Sequence, residues 1–163
     1  MLGGIVESLE EIARTAVTAP PAANFQGLEF LVGGVWVNTA SGSTTCEALQ
    51  FTLSARFISS IQTSYSNNKA VLTTGLLGLD PSGKLIMWAF TSSGSYISMT
   101  QVPPTPGPRP GPAATWTLEG MVQQTKIRQS LHKVGADAMQ TVTSKFVQGG
   151  GWQALPPVPY QRS

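Results

Sequence analysis

Connections too short for a crossover constrain this chain more than any other feature. From Leu28 onward, short runs of β-branched and aromatic residues are separated by Gly, Ser, Asn and Pro, with hardly any helical spacing. Strands are expected over 30–38, 45–53, 56–65, 69–79, 84–92, 95–102, 114–122, 125–134, 137–147 and 151–155. Most links between them are brief, as at Ser66-Asn67-Asn68, Asp80 to Gly83, Ser93-Gly94 and Gly149-Gly150. Parallel neighbours would need a crossover of about a dozen residues or more, so consecutive strands must pair antiparallel.

The clearest hairpin runs from Lys69 to Gly94, around the turn Asp80-Pro81-Ser82-Gly83. Pro pre-sets φ for the reversal, Asp bonds its own backbone, and Gly accepts φ > 0. In Thr115-Trp116-Thr117-Leu118-Glu119, Trp116 and Leu118 share one face and the polar residues the other, the pattern of one dry and one wet face. Leu85 to Phe90 is apolar in both phases, so both of its faces should be covered, and alternation leaves open which one points inward. About ten sequential antiparallel strands would leave open edges unless they close. The expected fold is therefore all-β, an antiparallel up-and-down barrel of about 8–10 strands.

Two segments stand apart. Residues 4–17 place Ile5, Leu9, Ile12, Ala13 and Val17 at helical spacing before Pro20-Pro21, which predicts a short N-terminal helix and linker over 1–24 ahead of a barrel domain over 25–163. Pro103 to Pro112 reads P-P-T-P-G-P-R-P-G-P and should form an extended, polyproline-like connection. The charge pattern narrows the partners: 11% of residues are charged, the net charge is +2, and the basic residues are scattered, so nucleic acid is not expected. The lone Cys46 leaves no intrachain disulfide and no cysteine-based zinc site. Glu7, Glu10 and Glu11 stand where a secretory signal would be basic, and no run approaches the roughly 18 apolar residues of a membrane span. A soluble, cytoplasmic protein is the expectation.

Phe30-Leu31-Val32-Gly33-Gly34-Val35-Trp36 resembles the opening strand of small bacterial lipocalin-like domains of unknown function, relatives of the nitrobindin-type and fatty-acid-binding barrels of the calycin group. The similarity extends through Gly78-Leu79-Asp80, Lys84 to Trp88, Ser93-Gly94, and Gly151-Trp152-Gln153-Ala154-Leu155 leading to Tyr160-Gln161-Arg162. It implies a lipocalin-like barrel. Two departures bear on cofactors: Val37-Asn38-Thr39 stands where nitrobindin-type chains carry glycines, and no histidine follows His132 to ligate haem near the C-terminus. No cofactor and no metal are expected.

A single histidine leaves no multi-histidine metal site. On strand 125–134, Ile127, Gln129 and Leu131 form the more apolar phase, which turns His132 outward, against a reading of His132 as a polar anchor or general base in a cavity. Asp80 belongs to its turn and Glu47 sits near a strand start, so neither is read as a catalytic acid or base. The aromatic and aliphatic residues Phe51, Phe57, Ile61, Tyr65, Trp88, Phe90, Tyr96, Trp116 and Trp152 either fill the barrel or line a pocket, with Ala89, Ser98, Gly120 and Ser59 leaving room if they face inward. The resulting expectation is non-enzymatic binding of a small hydrophobic, lipid-like ligand. Its contacts would come from Phe51, Phe57, Ile61, Trp88, Phe90, Tyr96, Trp116, Gln129 and His132. The alternatives are a small isomerase, cyclase or hydrolase with His132 as base, and a solidly packed module whose doubly apolar strands form a homodimer interface.

Overall fold

The computed structural model describes Phe25 and residues 27–40, 43–53, 56–103 and 116–163. The expected N-terminal helix and linker over 1–24, and most of the proline run, lie outside these residues. One turn of 3-10 helix, Glu29–Leu31, precedes β1 (Val35–Ala40), β2 (Ser43–Thr52), β3 (Phe57–Ser66), β4 (Lys69–Leu79) and β5 (Leu85–Thr91). There follow β6 (Tyr96–Val102), β7 (Trp116–Val122), β8 (Thr125–Lys133), β9 (Ala138–Val147), β10 (Gly151–Ala154) and β11 (Val158–Arg162).

Every strand from β1 to β9 pairs antiparallel with its successor, and β11 joins β1 to β9, which closes the sheet. β10 pairs with the last residues of β9 and β11 with its first, both on the side of β9 away from β8. Together β10 and β11 fill one position, so the molecule is a closed, up-and-down barrel of ten strand positions. Closure removes the exposed edges that an open sheet of this length would present.

Local chemistry explains the strand ends. The expected strand 30–38 is shortened because Gly33 and Gly34 adopt φ of +85° and +74°, a left-handed pair that breaks extended backbone and starts β1 at Val35. At the β4–β5 turn, Asp80 Oδ1 accepts from Ser82 N (2.8 Å), Ser82 Oγ (2.7 Å) and Lys84 N (2.9 Å), the Asx geometry read from the sequence. β11 lies beyond the expected strands. Pro156-Pro157 interrupts the chain, and Pro159 has no N–H to give a ladder, so the segment carries a weak strand signal. Tertiary pairing compensates: Val158 to Gln161 match Thr141 to Ala138, and Asn38 Nδ2 donates to the Pro159 carbonyl.

The register sorts side chains into two sets. Glu47, Gln62 and Thr73 are lateral neighbours on β2, β3 and β4, and Met87, Met99 and Gly120 on β5, β6 and β7; all belong to the inward phase. Packing concentrates at the end of the barrel where β1 begins. Phe25, Leu28 and Leu31 plug that end against Trp36, Ile58, Leu85, Leu118 and Tyr160, all buried. Trp36 Nε1 donates to the Leu31 carbonyl at 2.9 Å, and the Arg162 guanidinium lies 4.6 Å from the Trp36 ring centroid. Arg162 also donates to the Phe30 carbonyl. These contacts tie the plug to both the first and last strands. No helix among the described residues is long and apolar enough to cross a membrane.

The doubly apolar β5 is resolved by this register. Leu85, Met87 and Ala89 point into the barrel, whereas Trp88 and Phe90 belong to the outer face, where Phe90 is 55% exposed.

Candidate functional site

A cavity of about 270 Å³ lies inside the barrel beyond the plug. It exists because the side chains crossing the middle of the barrel are small. Ser60, Gly75 and Ala89 are successive lateral neighbours on β3, β4 and β5, and all three line the cavity. Even a methyl group at Gly75 would sit 2.6 Å from Ser60 Oγ. A barrel of this size otherwise fills with its own side chains or holds one small ligand.

Most of the wall is apolar: Leu31, Leu49, Leu77, Met87, Met99 and Trp116, with Leu131 and Met139 across the barrel. Two polar strips interrupt it. Glu47, Gln62 and Thr73 run side by side on β2 to β4, and Gln129 and Thr143 face each other across β8 and β9. Among the described residues, Glu47 is the one charged side chain in the lining. It is half-buried and faces the cavity. Burial pushes its pKa up to about 7, against the opposing hydrogen bonds of Gln62 and Ser60. Gln62 Nε2 donates to Glu47 Oε2 at 3.4 Å. The buried Tyr160 hydroxyl is pushed up to about 12, first by burial and then by the Glu47 charge.

Trp116 is 6% exposed, and its Nε1 has no acceptor among the described residues. A buried donor of this kind carries an uncompensated desolvation cost. The cavity presents one carboxyl of near-neutral pKa in a mostly apolar wall. Among the described residues no three His, Cys, Asp or Glu side chains gather as metal ligands.

Of the residues singled out from sequence, Trp116 and Gln129 line the cavity. Phe51 shares the inward phase but packs in the plug, its ring centroid 6.2 Å from that of Phe25. Phe57 lies against Gly78 on the outer face, and Ile61 packs there with Val35, Cys46 and Ala48. Burial in that cluster raises the Cys46 thiol pKa. Trp88, Phe90 and Tyr96 occupy the outward phase of β5 and β6, with the Phe90 and Tyr96 rings 5.2 Å apart. His132 is half-buried in the outward phase of β8, alternating with the cavity-lining Gln129 and Leu131. Among the small residues, Ala89 lines the cavity and Gly120 faces inward, while Ser59 and Ser98 face out.

Glu47 was not among the residues expected from sequence. Its signal was present, since Thr45, Glu47, Leu49 and Phe51 alternate as one face, but Cys46 and Ala48 make the opposite face equally apolar. With both phases buried, alternation could not decide where the carboxyl points. The chain matches no protein-family model and no curated protein. The closed barrel is consistent with a lipocalin or calycin-like fold.

Proposed function

We propose that this barrel binds a small hydrophobic ligand in its interior without transforming it. The observation that carries the reading is the 270 Å³ cavity with its mostly apolar wall, sealed at one end by the Trp36 plug. Small-molecule sites are typically about 300–1,000 Å³, apolar, with a few polar groups to fix orientation, and this cavity stands at the lower edge of that range. Its ligand is compact. Affinity comes from apolar burial, at roughly 25 cal/mol per Å².

The direct test is titration with a neutral, environment-sensitive probe such as N-phenyl-1-naphthylamine. Saturable fluorescence enhancement in the wild type, reduced at least tenfold in affinity by Ala89→Phe, supports an interior site. Equal binding by wild type and Ala89→Phe places the probe on the outer face and defeats the reading.

A second reading, a small enzyme acting on an apolar substrate, draws on Glu47. A carboxyl with pKa pushed up to about 7 in a mostly apolar cavity is suited to general acid–base work. This role passes from His132, which alternates with the cavity-facing residues of β8, to Glu47. Turnover of an apolar carbonyl substrate, lost in Glu47→Gln, would favour it over simple binding.

A further inference from the structure

The inner wall of the barrel grades from apolar to polar along its length, and the gradient specifies a kind of ligand. Resting on the binding reading above, we propose that the cavity takes a compact amphipathic amine, its ammonium group seated on the Glu47 carboxylate and its apolar body directed toward the plug.

The gradient is read strand by strand. On β2, β4 and β9 the lining passes from Leu49, Leu77 and Met139 on the plug side to Glu47, Thr73 and Thr143 on the far side. Glu47 stands one inward step beyond Leu49, about 6–7 Å along the strand. β6 and β8 remain apolar on their far side, at Ile97 and Ile127. The polar end is therefore concentrated on β2 to β4, where Glu47, Gln62 and Thr73 are lateral neighbours. A molecule filling this space buries an apolar body near the plug and presents a polar head to that strip.

The charge of the head follows from Glu47. Gln62 Nε2 reaches its Oε2 at 3.4 Å, a long bond for an amide donor, and among the described residues no cation lines the cavity beside it. In a poorly solvated wall an opposite charge is worth more than in water. An ammonium supplies that charge together with three N–H donors, and the Gln62 amide oxygen and Thr73 hydroxyl are acceptors in the same strip. A carboxylate ligand meets its own sign there, and an alcohol offers a hydrogen bond without the charge.

The remaining neighbours of Glu47 leave the carboxyl to govern how binding depends on pH. From β1 its inward neighbours are the neutral Trp36 and Asn38, and from β3 it meets the neutral Gln62 and Ser60. From β11 come Tyr160, whose hydroxyl stays protonated well above neutrality, and Arg162, which pairs with Asp137 at 3.4 Å and donates to the Phe30 carbonyl. Across the barrel β9 presents Thr141 and Thr143; Lys145, one inward step further from the plug, is exposed. An entering ammonium loses its hydration, so the preference for it holds while Glu47 is ionised. Burial pushes that carboxyl up to about 7, so protons compete with the amine below this value.

The test is displacement of bound N-phenyl-1-naphthylamine by four molecules on one skeleton: cyclohexylmethylamine, cyclohexylmethanol, ethylcyclohexane and cyclohexanecarboxylate. At pH 8 the amine should bind at least tenfold more tightly than the other three. Between pH 8 and pH 6 its affinity should fall about tenfold, as the ionised fraction of Glu47 drops from roughly nine-tenths to one-tenth, while that of the alcohol stays constant. Glu47→Gln should bring the amine to the level of the alcohol and remove its dependence on pH, with ethylcyclohexane binding unchanged. Ala89→Phe should weaken the amine at least tenfold. An alcohol or hydrocarbon that equals the amine at pH 8, or an amine preference that survives Glu47→Gln, overturns the inference while leaving interior binding intact. Amine binding untouched by Ala89→Phe places the ammonium outside the barrel and also overturns it. Failure of the probe and all four molecules to bind overturns both readings.

Discussion

Replacing Glu47 with Gln should stabilise the barrel, and the gain should depend on pH in a way that reports the carboxyl's burial. The side chain keeps its shape, and its amide oxygen can still accept from Gln62 Nε2. What changes is the charge. In the unfolded chain the carboxyl titrates near its ordinary 4.5, whereas in the fold burial holds it up to about 7. Below pH 4.5 both states carry the proton and the substitution should have little electrostatic effect. As pH rises from 4.5 to 7, the unfolded chain ionises freely while the folded one resists, so wild-type stability falls. Above 7 the loss is complete. At roughly 1.4 kcal/mol for each pKa unit, the difference amounts to about 3 kcal/mol. Tyr160, the titratable neighbour, does not ionise in this window. Urea unfolding of wild type and Glu47→Gln at pH 4, 6 and 8 should show a stability gap that opens across the series. Parallel profiles, with the gap the same at all three values, would refute the placement of a destabilised carboxyl in the cavity.

Three further outcomes follow from the plug, the sheet and the main turn. Trp36→Phe keeps an aromatic ring beneath Arg162 but leaves the buried Leu31 carbonyl without its donor, so denaturant unfolding should register a loss of about 1–3 kcal/mol. Gly120→Ala forces a methyl group to within 2.1 Å of the Ser98 carbonyl oxygen, a backbone clash that should cost at least about 1–3 kcal/mol and lower the melting temperature. Asp80→Asn should weaken the β4–β5 turn at neutral pH. Because bonds from the Ser82 hydroxyl and the Lys84 N–H hold the Asp80 carboxyl below its ordinary range, the wild-type advantage should shrink as pH falls through that range, as read by thermal unfolding at pH 7 and pH 3.

Much of the fold was legible because antiparallel strands announce themselves locally. The Asp80 turn, the left-handed Asn67-Asn68 link and the Gly-rich reversals each fix where one strand stops and the next begins. Ten of the eleven strands lie within or close to the runs read from sequence. β11 escaped because its prolines suppress strand propensity, and only the pairing of Val158 to Arg162 with β9 and β1 makes it a strand. The site was less legible. Where one phase is more polar, as on β8, alternation favoured Gln129 on the cavity side and an outward His132, although His132 was still counted among the ligand contacts. On β2 and β5 both phases are apolar, and there it could not distinguish Glu47 from Cys46 or Ala89 from Trp88.

Sequence by itself determined that this chain is a closed antiparallel sheet, since short links and hydrophobic runs leave few other ways to satisfy backbone hydrogen bonds. Tertiary structure alone decided which apolar phase faces inward. It also placed the small residues Ser60, Gly75 and Ala89 side by side, opening the space they share. The physical reason is register. Strand propensity acts on residues near in sequence, whereas the cavity and its carboxyl arise from residues on different strands brought level by lateral pairing, which no local pattern encodes.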